Sequence, residues 1–178
     1  GHGCGFEIPV GDGRAVVLTT SYPGSDIAFY RSAVERLGCA PALRHDAERA
    51  SLLITSTANE AGERFVHALN LEGYDATFGL TEHGRPLFGG HQVSLPGRRG
   101  LMLPVDLAFD GARLAYATGE IAFLQGDSVR FTPRQGGLVA AFASDRKLAV
   151  DGPAEVRTEA GLQVVRATSG DAVTVTWT

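Results

Sequence analysis

Four carboxylates fall within the stretch "GERFVHALNLEGYDATFGLTE": Glu63, Glu72, Asp75 and Glu82, with His67 and Asn70 between them. Glycoside hydrolysis needs two carboxyl groups, about 5 Å apart for retention or about 6.5–9.5 Å for inversion. These four sit before, within and after what reads as strand, polar turn and strand, a hairpin in which turn acids are solvated. They are expected to be structural, and no residue of the chain is assigned a catalytic role.

The other chemistries fare no better. A zinc site wants three or four converging ligands. Of His2, His45, His67, His83 and His91, only His83 and His91 are spaced to approach each other across a hairpin, so neither a metal nor another cofactor is expected. His67 reads as a sandwich histidine whose ring nitrogen meets a backbone carbonyl. No Gly-x-Ser-x-Gly is present to announce a nucleophilic serine. Cys39 follows a helix C-terminus, whose partial negative charge does not favour a nucleophile. Cys4 and Cys39 are expected as two buried thiols rather than a bridge. Gly11-Asp12-Gly13 lacks the Lys-Ser/Thr of a phosphate loop and is followed by a strand, so it reads as a hairpin turn.

Ring stacking on sugars is the chemistry best served by the residues. β-Sandwich modules hold glycans on aromatic faces, and the candidates are Tyr74, Tyr116 and Trp177. A single Trp in a sandwich also has an obvious place in the core.

These residues must be positioned by a mainly β chain. The first 45 residues read as a β-β-α unit: a strand at Phe6 to Val10, the Gly-Asp-Gly turn, a strand from Arg14 to Thr19, then a helix. Ser25 or Asp26 would cap that helix, Ile27, Phe29, Tyr30, Ala33, Val34 and Leu37 would follow its period, and Gly38 would stop it. From residue 46 to 178, thirteen short apolar runs alternate with Gly, Asp and Pro at roughly 8–12 residue spacing, the pattern of an antiparallel β-sandwich or two small sheets in succession. A net charge of -4 with scattered Lys and Arg argues against nucleic acid as a partner. No apolar run approaches the roughly 20 residues of a membrane helix, so a membrane is not expected either, and a cytoplasmic location is.

The order of the motifs also carries a resemblance. "GERFVHALNLEGYDATFGLTEHGRPLFGG", "SLPGRRGLMLPVDL" and "ARLAYATGEI" resemble the C-terminal accessory region of bacterial beta-galactosidases of glycoside hydrolase families 35 and 42. The preceding "GCGFEIPVGDGRAVVLTT" and "AFYRSAVERLG" are similar to the closing strands and last helix of a glutamine-amidotransferase-like domain, with Gly11, Gly13 and Arg14 matching its turn. The resemblance spans Cys4 to Ile121, and more loosely the tail to Trp177. It implies a piece of a longer enzyme whose catalytic glutamates lie on a separate barrel domain, the expected partner. No Glu of this chain inherits their role. Self-association and galactosides complete the expected partners, and the alternative reading is a carbohydrate-binding module.

Overall fold

A computed structural model describes residues 5–18, 27–48, 51–132, 136–168 and 170–178. The chain divides into two compact units, Gly1–Ala42 and Leu43–Thr178.

In the first unit, β1 (Gly5–Val10) and β2 (Gly13–Leu18) pair antiparallel with Val10 opposite Gly13. A two-residue loop results, and Gly11 supplies the positive φ (57°) that such tight loops require. The helix α1 runs Ile27–Arg36, and the capping candidates Ser25 and Asp26 lie outside the described residues. Its C-terminus is closed by a Schellman motif: Gly38, at φ 85°, donates its N–H to Glu35 O and Cys39 donates to Val34 O. Arg14 binds Glu7 at 3.0 Å and donates to Arg36 O at the helix end, tying the hairpin to α1. The unit has little interior. Cys39 is exposed, contrary to the buried thiol expected of it, since it follows the Gly38 stop of α1 and lies beyond the helix; Cys4 lies outside the described residues.

The second unit holds sixteen strands among its described residues. In chain order these are β3 (Leu43–His45), β4 (Leu52–Ala58), β5 (Arg64–Asn70), β6 (Ala76–Phe78), β7 (Leu80–Glu82), β8 (Arg85–Pro86), β9 (Val93–Leu95) and β10 (Gly100–Phe109). There follow β11 (Ala112–Ala117), β12 (Glu120–Gln125), β13 (Ser128–Thr132), β14 (Leu138–Ala143), β15 (Leu148–Asp151), β16 (Ala154–Glu159), β17 (Leu162–Ala167) and β18 (Val173–Trp177). All pairings are antiparallel. A seven-stranded sheet, β16-β17-β14-β11-β10-β5-β4, faces a four-stranded sheet, β12-β13-β18-β15. The last sixty residues therefore supply the whole small sheet, through β12, β13, β15 and β18, and three strands of the large one, β14, β16 and β17.

Two cores result. One, between the two main sheets, gathers Leu107, Leu114, Phe131, Leu138, Phe142, Val175 and Trp177. The other collects Val66, Ala68, Leu101, Leu103 and Val105 of the large sheet against Phe78, Leu80, Val93 and Leu95 of the short sheets β3-β7-β8 and β6-β9 and Phe88 of the turn between β8 and β9. Strand β10 feeds both. Its alternation breaks at Asp106 (φ 58°), and the β11–β14 register shifts between Leu114 and Tyr116. Such irregularities turn a strand's face, so Val105 and Tyr116 belong to one side and Leu107 and Leu114 to the other.

The stretch from Gly62 to Leu80 is not a hairpin. Strand β5 lies between β4 and β10, whereas β6 leaves to pair with β9. Strand β5 is internal, with Val66, Ala68 and Asn70 buried on one face; on the opposite face Phe65 packs against the inter-sheet core while Leu69 is 41 % exposed. His67 meets the Thr57 hydroxyl at 2.9 Å, not a backbone carbonyl, because Thr55 and not a loop stands opposite it on β4.

Candidate functional site

Asn70 ends β5 and is 2 % exposed. Buried amides must be satisfied, and this one is satisfied entirely by loop backbone. Its Oδ1 accepts from Glu72 N (3.0 Å), an Asx turn, and its Nδ2 donates to Tyr74 O (2.8 Å), Leu95 O (3.3 Å) and Pro96 O (3.4 Å). The loop 71–75 is thereby clamped to the loop after β9. Arg98 N donates to Glu72 O at 2.7 Å, Gly97 N donates to Asp75 Oδ1 at 3.0 Å, and a Cβ at Gly97 would stand 2.5 Å from Gly73 C. Only glycine permits that backbone approach.

The clamped loop forms one wall of a cleft of about 610 Å³. Asp46, Glu48 and Ser51 come from the segment between β3 and β4, Glu72, Tyr74, Asp75 and Thr77 from the loop and β6, and Gln92 from the chain before β9. Ala47, Leu52 and Ala76 give it apolar floor. Four carboxylates face the space, and its described lining includes no Lys or Arg. Three of the four are held through one oxygen each: Ser51 Oγ donates to Glu72, Gly79 N to Asp46 (2.6 Å) and Gly97 N to Asp75. Tyr74 is 39 % exposed.

The other two aromatics lie elsewhere. Trp177 is fully buried, stacked on Phe109 (centroids 5.4 Å, planes 9° apart), with its indole N–H donated to Asp110 O at 2.6 Å. Its face is closed to any ligand. Tyr116 is half-buried against Phe88 (6.3 Å) and His91 (6.5 Å), and burial raises its phenol's pKa. Beside it Arg166 holds Glu159 through two bonds, 3.2 and 2.9 Å, and donates to His91 Nε2 at 3.4 Å. Burial, then the Arg166 charge, lowers the His91 pKa, while the Arg166 hydrogen bond lowers that of Glu159. The turn that delivers His91 is strained, with Phe88, Gly89 and Gly90 all at positive φ (52°, 63° and 79°). A Cβ on Gly89 would stand 2.3 Å from Tyr116 Oη.

The remaining acids of the opening stretch are anchored rather than merely solvated. Glu63 accepts from Ala108 N (2.9 Å) and Asn59 Nδ2 (2.6 Å), which together hold its pKa below the usual range. Glu82 is paired with Arg64 at 2.5 Å, and that bond lowers its pKa too. His83, at φ 47°, occupies the β7–β8 turn, whereas His91 partners Arg166. Among the described residues no group of three or more His, Cys, Asp or Glu is placed to hold a metal ion, and no helix is long and apolar enough to cross a membrane.

The chain matches no protein-family model and no curated protein.

Sequence reasoning found Tyr74, Glu72, Asp75 and Asn70 but not Asp46, Glu48, Ser51 or Gln92. These come from two segments whose proximity to the loop 71–75 depends on the β4–β5 and β6–β9 pairings, for which no local pattern exists. The burial of Trp177 does have a local signal: Val173, Val175 and Trp177 alternate with threonines, so one face of β18 is apolar.

Proposed function

We propose that this chain is a non-catalytic accessory region of a beta-galactosidase-like glycoside hydrolase, contributing to the stability or assembly of a separate barrel domain. One observation carries the reading. The polar residues of the motif that bears the resemblance are occupied in holding backbone and loops together: Asn70 clamps two loops, Glu63 binds Ala108 N and Glu82 binds Arg64. Groups committed in this way position a scaffold, which agrees with chemistry performed on another domain. Exposed Phe6, Ile8, Val10 and Val17 on the β1–β2 hairpin supply apolar surface of the kind that docks a partner or a second copy. The test has two arms. The isolated chain is expected to release no nitrophenol from a nitrophenyl galactoside, and deleting it from a barrel-bearing polypeptide is expected to lower the melting temperature of the barrel. Hydrolysis by the isolated chain overturns the reading.

A second reading, a carbohydrate-binding module, is favoured by exposed Tyr74 at the acid-lined cleft. It rests on Tyr74 alone of the three aromatics. Trp177, being buried, would not report binding by fluorescence, so calorimetric titration of galactose-containing oligosaccharides is the measurement. No heat up to millimolar sugar removes this reading and leaves the first standing.

A further inference from the structure

We propose that His91 is an acid-released latch: at neutral pH its imidazole ties the turn 87–91 to β17, and protonation frees that turn and uncovers the ring of Tyr116 beside it. The turn is held in a conformation that it does not favour alone. Phe88, Gly89 and Gly90 follow one another at positive φ (52°, 63° and 79°), and Phe88 carries a side chain into a region that sterics leave mainly to glycine. Backbone of that kind persists only where its surroundings fix it. Here Tyr116 is the common support. The buried Phe88 ring meets it edge-on at 6.3 Å, Gly89 lies too close to its hydroxyl to admit a Cβ, and His91 covers the same ring at 6.5 Å. The start of the turn is tied to β7 by Leu87 N, which donates to Leu80 O at 2.8 Å, and its end is tied by His91 to Arg166.

That last tie exists in one protonation state only. A guanidinium donates hydrogen bonds and accepts none, so the 3.4 Å contact from Arg166 Nη2 uses the lone pair of His91 Nε2. The ring is therefore neutral, with its proton on Nδ1. A proton on Nε2 sets donor against donor and one positive charge against another. Arg166 is not free to swing aside, since its Nε and Nη2 hold both oxygens of Glu159 at 3.2 and 2.9 Å. His91 leaves instead, and the strained turn goes with it. The charges acting on His91 are Arg166 of β17 and Glu159 of β16, with Tyr116 of β11 against its ring. Glu155 and Arg157 of β16 act at one remove, on Arg166 and Glu159. Burial first and the Arg166 charge second hold the His91 pKa below its ordinary 6.5, against the opposing pull of Glu159. The closed turn thus refuses a proton that the open turn accepts, so closure is complete above pH 6.5 and is lost as the pH falls below it.

The experiment is amide hydrogen exchange on the whole chain, followed by NMR between pH 7.5 and pH 5.5 and corrected for the intrinsic exchange rate. The reporters are Gly90 N–H and His91 N–H, which donate within the turn to Leu87 O and Phe88 O. One linked proton shifts the closed-to-open ratio by up to about tenfold over that interval, and protection at both amides is expected to fall by that factor while the amides of β5 and β10 keep theirs. Nitrogen shifts of the His91 ring are expected to show the proton on Nδ1 at pH 7.5. His91→Gln retains an acceptor for Arg166 and does not titrate, so Gly90 protection in that variant should be the same at both ends of the interval. Equal loss of protection in β5 and β10 means that acid loosens the whole unit, and unchanged protection of the turn means that no latch titrates; either overturns the proposal. So does a neutral ring with its proton on Nε2, or a pH dependence at Gly90 that survives His91→Gln. The two measurements on the unaltered chain decide the question even where the variant is unstable.

Discussion

Asn70 makes a test at the scale of one side chain. Its amide satisfies three carbonyls and one N–H from within a nearly dry site, and removing it strands those groups. A buried group left without its partner costs about 1–3 kcal/mol, so Asn70→Ala is expected to lower stability by about 2–4 kcal/mol, read as a shift of the urea midpoint at unchanged slope. Loss of less than 1 kcal/mol would mean that the loops hold without the amide. His91 supplies a pH test. Burial and Arg166 depress its pKa below the ordinary 6.5, so between 6.5 and that lower value the unfolded chain binds the proton that the folded one refuses. Stability is therefore complete above pH 6.5 and falls as the pH drops below it. His91→Gln is expected to flatten the difference between urea midpoints at pH 7.5 and pH 5. The depressed carboxyls Glu63, Glu82 and Glu159 act lower, their contribution present above 4.5 and lost on further acidification.

At the scale of elements, legibility in the sequence followed how local the cause was. The Gly11 loop, the Gly38 helix stop and most strands of the second unit are dictated by residues a few positions apart, and they appear where the pattern puts them. Strands β3, β8 and β15 carry no such pattern because they are two to four residues long and owe their pairing to neighbours. Tyr116, a stacking candidate in the sequence, is placed by an equally non-local cause: the register shift after Leu114 turns it away from the core of Ala112 and Leu114 and against the other. The cleft depends on the same non-local geometry, so its walls offer the element-scale prediction. At Gly97 a methyl group meets the backbone of Gly73 at 2.5 Å, which a rotamer change cannot relieve. Gly97→Ala is expected to cost about 1–3 kcal/mol and to part the two loops, which amide hydrogen exchange at Arg98 and Gly97 would register as faster exchange. Unaltered protection at both amides would show that the loops tolerate separation.

For the whole molecule the question is which part can stand alone. The second unit closes two cores around one shared sheet, and strand β10 contributes Leu101, Leu103 and Val105 to one and Leu107 to the other. Damage to either core is thus transmitted through β10, and the residues 43–178 are expected to unfold in a single cooperative transition. Among its described residues the first unit has a two-stranded hairpin and one ten-residue helix, and Phe6, Ile8, Val10, Val17, Val34 and Leu37 are all exposed in it. A lone hairpin is marginal in water, and a unit of about 40 residues buries too little surface to offset its conformational entropy. Divided after Ala42, the chain should yield a folded fragment 43–178 with the near-ultraviolet signal of buried Trp177, and a fragment 1–42 with a disordered far-ultraviolet spectrum. A folded 1–42, or a 43–178 that loses the Trp177 signal, would contradict this assignment of stability. The surface that the small unit leaves uncovered is where a docking partner would gain most, since burying those six apolar side chains at about 25 cal/mol per Å² would supply what its own interior lacks.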